Sequence, residues 1–223
     1  MFIRVRIFGV LAALFLAACD PNAQMPTAST AIVGTKAIIK AHSEQRIAEV
    51  TDVTGKIVTT DFSNWDGALL YTQLSYRGLF PVGGSEQNGS QWELDFDEKL
   101  LESVFPLQVG REVSFKGNIK TLNDGKQHDM WIHLEVVGEQ SMSLPDGQHT
   151  VFVVELSREY RWKGKTQRST DIMYFDPKLS MTLKKVMRKR GSQSYWRVLS
   201  VERPGHTEQT MPIRQRRSGT VMI

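Results

Sequence analysis

The sequence predicts a mainly β protein, an antiparallel meander forming a strongly curved sheet, half-barrel or barrel, with at most one or two short helices. Short runs of alternating or β-branched residues recur between residues 56 and 202, glycine-centred turns separate several of them, and helical periodicity is scarce.

Taken in order, Thr35 to Val50 is the best helical candidate, because Ile38, Ala41, Ile47 and Val50 can share one helical face. Strands are expected at Lys56–Thr60, Ala68–Arg77, Gln91–Asp97, Arg111–Thr121, Asp129–Val137, Thr150–Trp162, Thr166–Phe175, Met181–Lys189 and Ser194–Glu202, with a second short helix or turn at Asp97–Val104. Asn123-Asp124-Gly125, Pro145-Asp146-Gly147, Lys163-Gly164-Lys165 and Arg190-Gly191-Ser192 read as hairpin turns, since glycine takes the positive φ that such turns need. Neighbours joined this tightly must be antiparallel, because a parallel pair needs a crossover of about a dozen residues. Alternation then puts Met130, Ile132, Leu134 and Val136 on one face and Trp131, His133 and Glu135 on the other. Phe152, Val154, Leu156, Tyr160 and Trp162 form a similar face that Arg158 interrupts. An apolar sheet face of this size must be covered or must enclose a cavity.

The first residues are basic, then apolar, then small: Arg4 and Arg6, the run Ile7–Leu16, and Ala17-Ala18 before Cys19. This is the order of a secretory signal, and the apolar run is too short for the roughly 20 residues of a transmembrane helix. Removal of residues 1–18 leaves about 205 residues and lowers the formal charge from +4 to +2, so net charge says little about partners. Residues 19–31 are small and polar with Pro21 and Pro26 and read as a tether, residues 32–204 as a single β-rich domain, and residues 205–223 as a basic, disordered tail. The chain has one cysteine, so no internal disulfide can form.

Leu16-Ala17-Ala18-Cys19 resembles the lipobox of bacterial lipoproteins. The resemblance implies that Cys19 carries lipid, that the chain faces the periplasm from an envelope membrane, and, through Asp20, that this is the inner membrane. A second resemblance is carried by Phe105-Pro106-Leu107, Val109-Gly110, Val136-Val137-Gly138-Glu139, Leu144-Pro145, Gly147, His149, Tyr174-Phe175-Asp176-Pro177 and Leu179. Their order is similar to that in a group of bacterial envelope β proteins of unknown function, related to half-barrel folds of which some hold lipids or lipoproteins. It implies a fold over residues 90–202 rather than an activity.

Motifs for chemistry are sparse. The histidines at 42, 128, 133, 149 and 206 lack the spacing of a zinc site and read as surface or turn residues, with His128 and His133 on opposite faces of one strand. Asp95 and Asp97 would share a strand face, as solvated carboxylates rather than calcium ligands. Gly83 to Ser90 is glycine-rich but lacks the lysine and hydroxyl of a phosphate-binding loop, and reads as a mobile connection. No Gly-x-Ser-x-Gly elbow is present, and no cofactor or metal is expected.

Arg158 to Arg190 holds eleven cations against Glu159, Asp171 and Asp176, with Tyr160 and Trp162 at one end and Tyr195 and Trp196 beyond the other. Lys184, Lys185, Arg188, Lys189 and Arg190 are the candidate contacts for an anionic ligand, whether lipid headgroup or envelope polymer; the alternative is a solvated face. Nucleic acid is not an expected partner of an exported chain. The reading that follows is a non-catalytic binding module for a hydrophobic or anionic envelope ligand. A structural lipoprotein acting through protein contacts is the alternative, and an enzyme has the least support.

Overall fold

The computed structural model describes residues 29–42, 44–162, 165–189 and 191–205. Cys19, the tether before Ser29, Lys163, Arg190 and the tail beyond Gly205 therefore lie outside the described residues. The strands run β1 (Lys36–Ala41), β2 (Glu44–Thr54), β3 (Ile57–Asn64), β4 (Leu69–Tyr76), β5 (Phe80–Glu86), β6 (Gln91–Asp95), β7 (Glu112–Thr121), β8 (Gln127–Leu144), β9 (Gly147–Trp162), β10 (Lys165–Asp176), β11 (Met181–Lys189) and β12 (Ser192–Glu202). Each pairs antiparallel with the next, and β1 pairs with β12, so the sheet closes into a barrel. The one helix among the described residues is α1 (Glu98–Glu102), between β6 and β7.

The fold class is the predicted one, and the meander extends through the whole barrel rather than its second half. Residues 35–50 hold no helix. They form the β1–β2 hairpin, turning at His42 with φ 54°, and burial follows a period of two through Ala37, Ile39, Ala48 and Val50. The preference is overridden because β1 is the closing strand: its second neighbour, β12, comes from the far end of the chain. The glycine-rich segment is also corrected. Gly83 and Gly84 lie inside β5, and a Cβ on Gly84 would stand 2.4 Å from the Thr72 carbonyl oxygen, so glycine here permits close strand packing. Asp95 and Asp97 share no strand face, because β6 ends at Asp95 and Asp97 caps α1, accepting from the Leu100 amide at 3.0 Å.

The alternation on β8 holds. Met130, Ile132, Leu134 and Val136 are buried, while Trp131 is exposed and His133 and Glu135 are half-buried. Outside, Lys36 meets Glu49 at 3.3 Å and Lys116 lies over Trp131 at 4.8 Å. An apolar interior behind a charged wall is the reverse of the polarity of a transmembrane barrel.

In an up-and-down barrel successive turns alternate between the two ends. One end, the floor, carries the start of β1, the end of β12, α1 and the β2–β3, β4–β5, β8–β9 and β10–β11 turns; the other, the rim, carries the remaining hairpins. The β4–β5 and β10–β11 turns are diametrically opposite, yet a Cβ on Gly78 would come 1.8 Å from the Ser180 carbonyl oxygen. The floor is therefore pinched shut by backbone packed on backbone. Arg77 stiffens it, donating to both carboxylate oxygens of Glu102 on α1 at 3.2 and 2.6 Å. Two apolar clusters fill the lobes on either side, one around Phe80, Leu134, Leu156 and Phe175, the other around Val50, Phe62, Leu183 and Val198.

Candidate functional site

Alternation along β10 and β11 sends every second side chain into the barrel. On β11 these are Met181, Leu183, Lys185 and Met187; on β10 they include Asp171, Met173 and Phe175. Lys185 thus enters the interior beside Asp171, which accepts from its Nζ at 2.9 Å. From the other side Arg158 of β9, the residue that breaks the apolar alternation of that strand, donates through Nη2 to the same Asp171 oxygen. Two cations share one carboxylate that is 2% exposed, leaving one positive charge in excess. Burial pushes the Lys185 ammonium below its ordinary 10.5; Asp171 opposes this and Arg158 adds to it.

Beside Lys185 lies a cavity of about 250 Å³ between the two apolar clusters. Its walls include Ile39, Phe62, Leu79, Met173, Met187 and Trp196, and its base reaches Ser75, Gly78 and Ser180 at the floor. Phe62 stacks on Tyr71 at 4.3 Å, and burial pushes the Tyr71 hydroxyl up to about 12 against the pull of Arg46. Arg46 lines the cavity too. Its Nη2 meets Glu44 at 3.2 Å, but its Nε is buried without a hydrogen-bond partner. Several neutral polar groups around it are already engaged: Gln73 donates to Ser75 at 2.8 Å, and the Ser180 hydroxyl accepts from the Thr30 amide at 3.1 Å and meets the Ser29 hydroxyl at 2.8 Å.

His149 is not the surface or turn histidine expected. It is 8% exposed, with Nδ1 at 2.8 Å from Asp176 and Nε2 at 3.1 Å from Asp146, and Asp176 also accepts from the Lys178 amide at 2.8 Å. The ring ties the β8–β9 turn to the β10–β11 turn. Burial works against its charge, but the two carboxylates outweigh this and hold the imidazolium above the ordinary 6.5. With both nitrogens committed to carboxylates, it has no lone pair to offer a nucleophile. Because the folded pKa is raised, the stabilisation is complete below pH 6.5 and is lost as pH rises through the folded value. The difference in Tm between wild type and His149→Gln is therefore expected to be largest below pH 6.5 and to shrink as the pH is raised above it; a constant gap counts against the clamp.

Of the cations selected from sequence, the structure places Lys185 inside and Lys184 outside, the latter 4.5 Å above the Tyr174 ring. Arg188 and Lys189 are exposed at the rim, and Arg190 lies outside the described residues. Adjacent strand positions face opposite sides, so this run does not converge on a single surface. Arg46, Arg158, Asp171 and the His149 clamp were missed as site residues, although Arg158 interrupts an apolar face and His149 and Asp176 both fall in the quoted turn motifs. On the outer wall, donor atoms of Glu112, His133 and Glu135 lie within 4.8 Å of one another, a cross-strand grouping that sequence spacing could not reveal.

No family model and no curated protein matches the chain. Among solved structures it is similar to the hypothetical lipoprotein YmcC from Escherichia coli, with 7% identity over 76% of this chain and 85% of that one and a TM-score of 0.49. It is also similar to a protein of Parabacteroides distasonis provisionally named a lipoprotein, with 12% identity over 80% of this chain and all of that one and a TM-score of 0.47. A Bacteroides fragilis protein, provisionally named as exported and with a YmcC-like fold, has 10% identity over 80% of this chain and all of that one and a TM-score of 0.48.

Proposed function

We propose that the chain is a lipid-anchored, non-catalytic binding module of the bacterial envelope, which takes a small ligand with an apolar body into its barrel. The cavity of about 250 Å³ carries this reading. Well-packed interiors leave few voids larger than water, whereas small-molecule sites begin near ~300 Å³. At packing density about 0.74 the space accepts roughly ten non-hydrogen atoms.

Anchoring follows from the leader. Ser29 and Thr30 bind the β10–β11 turn at the floor, and Ser29 lies ten positions after Cys19, at most about 35 Å of chain. The floor then faces the membrane and the rim faces away. Cys19→Ser is expected to move the protein from the membrane to the soluble fraction; retention on membranes after a high-salt wash would contradict the anchor. Native mass spectrometry of that released chain is expected to show a small non-covalent adduct. If it shows none, and an apolar fluorophore is not taken up either, the binding reading fails.

A further inference from the structure

The chemical class of the ligand can be narrowed further, and this step rests on the barrel-binding reading above. We infer that the cavity selects a single-chain carboxylate, whose acid group sits between Lys185 and Arg46 while its chain lies against Met173, Met187 and Phe62. What the cavity offers is specific. Gln73, Ser75 and Ser180 are bonded to protein groups, so beside the hydroxyls of Thr60, Tyr71 and Thr182 the lining offers apolar wall and cationic charge. With Lys185 protonated, the trio of Arg158, Lys185 and the buried Asp171 is one negative charge short, and the Arg46 Nε lacks a partner. A buried excess cation is costly until an anion meets it, so one acid group relieves the imbalance where a neutral head cannot. The length agrees: from Tyr71 to Ser75 the lining of β4 extends about 13 Å, enough for an eight-carbon chain.

Binding also has a proton signature. Burial pushes the Lys185 ammonium below its ordinary 10.5 and a carboxylate beside it opposes that push, so binding takes up protons in the alkaline range where free Lys185 titrates.

The test is calorimetry at pH 7 and at a series of higher pH values with the full-length chain carrying Cys19→Ser, using octanoate and 1-octanol as probes, at each pH in two buffers of different ionisation enthalpy. Octanoate is expected to bind at least tenfold more tightly than octanol, with proton uptake appearing as the pH is raised into the range where free Lys185 titrates. Lys185→Met, which leaves the Arg158–Asp171 pair in place, is expected to abolish both the preference and the uptake. Equal affinity for the two probes, or a preference unchanged in Lys185→Met, would overturn acid recognition while leaving the barrel-binding reading intact. No binding of either probe would overturn that reading itself and this inference with it.

Discussion

Asp171→Asn is expected to destabilise the barrel by about 3–5 kcal/mol, the cost of leaving buried charge without its partner. The substitution preserves volume but removes the one carboxylate that Arg158 and Lys185 share. Lys185→Met should behave oppositely. It removes the excess cation, leaves Arg158 paired, and fits between Met173 and Met187, so its stability is expected to fall within about 1 kcal/mol of wild type or above it. Urea unfolding of the two variants measures this asymmetry. A pH series adds a second check. Lys185 has a folded pKa below its ordinary 10.5, so the unfolded chain holds more protons between the two values, and wild-type stability rises with pH through that window. Lys185→Met should lose that rise. Equal losses for Asp171→Asn and Lys185→Met would mean that the trio is not short of negative charge.

Leu134→Ala is expected to cost about 2–5 kcal/mol, the range for truncating a fully buried aliphatic side chain. Leu134 is 0% exposed and lies opposite Val113 on β7 and Leu156 on β9, with no room for the neighbours to collapse without shifting strands. Its neighbour Glu135 points outward, opposite Glu112 and Glu155, in a row of three carboxylates. Like charges placed opposite one another repel, so Glu135→Ala is expected to be neutral or slightly stabilising. Denaturation midpoints of the two single variants decide the matter; similar losses would mean that β8 is turned the other way.

The strands from β7 to β12 were legible because each pairs with a sequence neighbour and several of the turns show their glycine: Gly125, Gly147 and Gly191 all have positive φ. β1, β2 and β5 were not. β1 depends on β12 for half of its hydrogen bonds, and Gly83 and Gly84 signal a loop until their strand neighbours are in place. The site divides in the same way. The resemblance of Leu16-Ala17-Ala18-Cys19 to a lipobox and the alternation of β8 and β9 are local patterns, as is the position of Arg158 in an apolar face. That Arg158 meets Lys185 on one aspartate depends on the strand register and on the inward parity of three strands, and no short window contains it.

By itself, then, the sequence determined the strand periodicity, the antiparallel order of the second half and the expected anchor at Cys19, because each follows from residues close together in the chain. Tertiary structure alone decided that the sheet closes through β1 and β12, that Gly78 and Ser180 pinch the floor, and that adjacent Lys184 and Lys185 serve opposite sides of one wall. The physical reason is that closure and parity are global conditions. A strand's periodicity says which residues share a face, but only the closed barrel decides which face is inside, and so which charges are taken out of water and must find a partner.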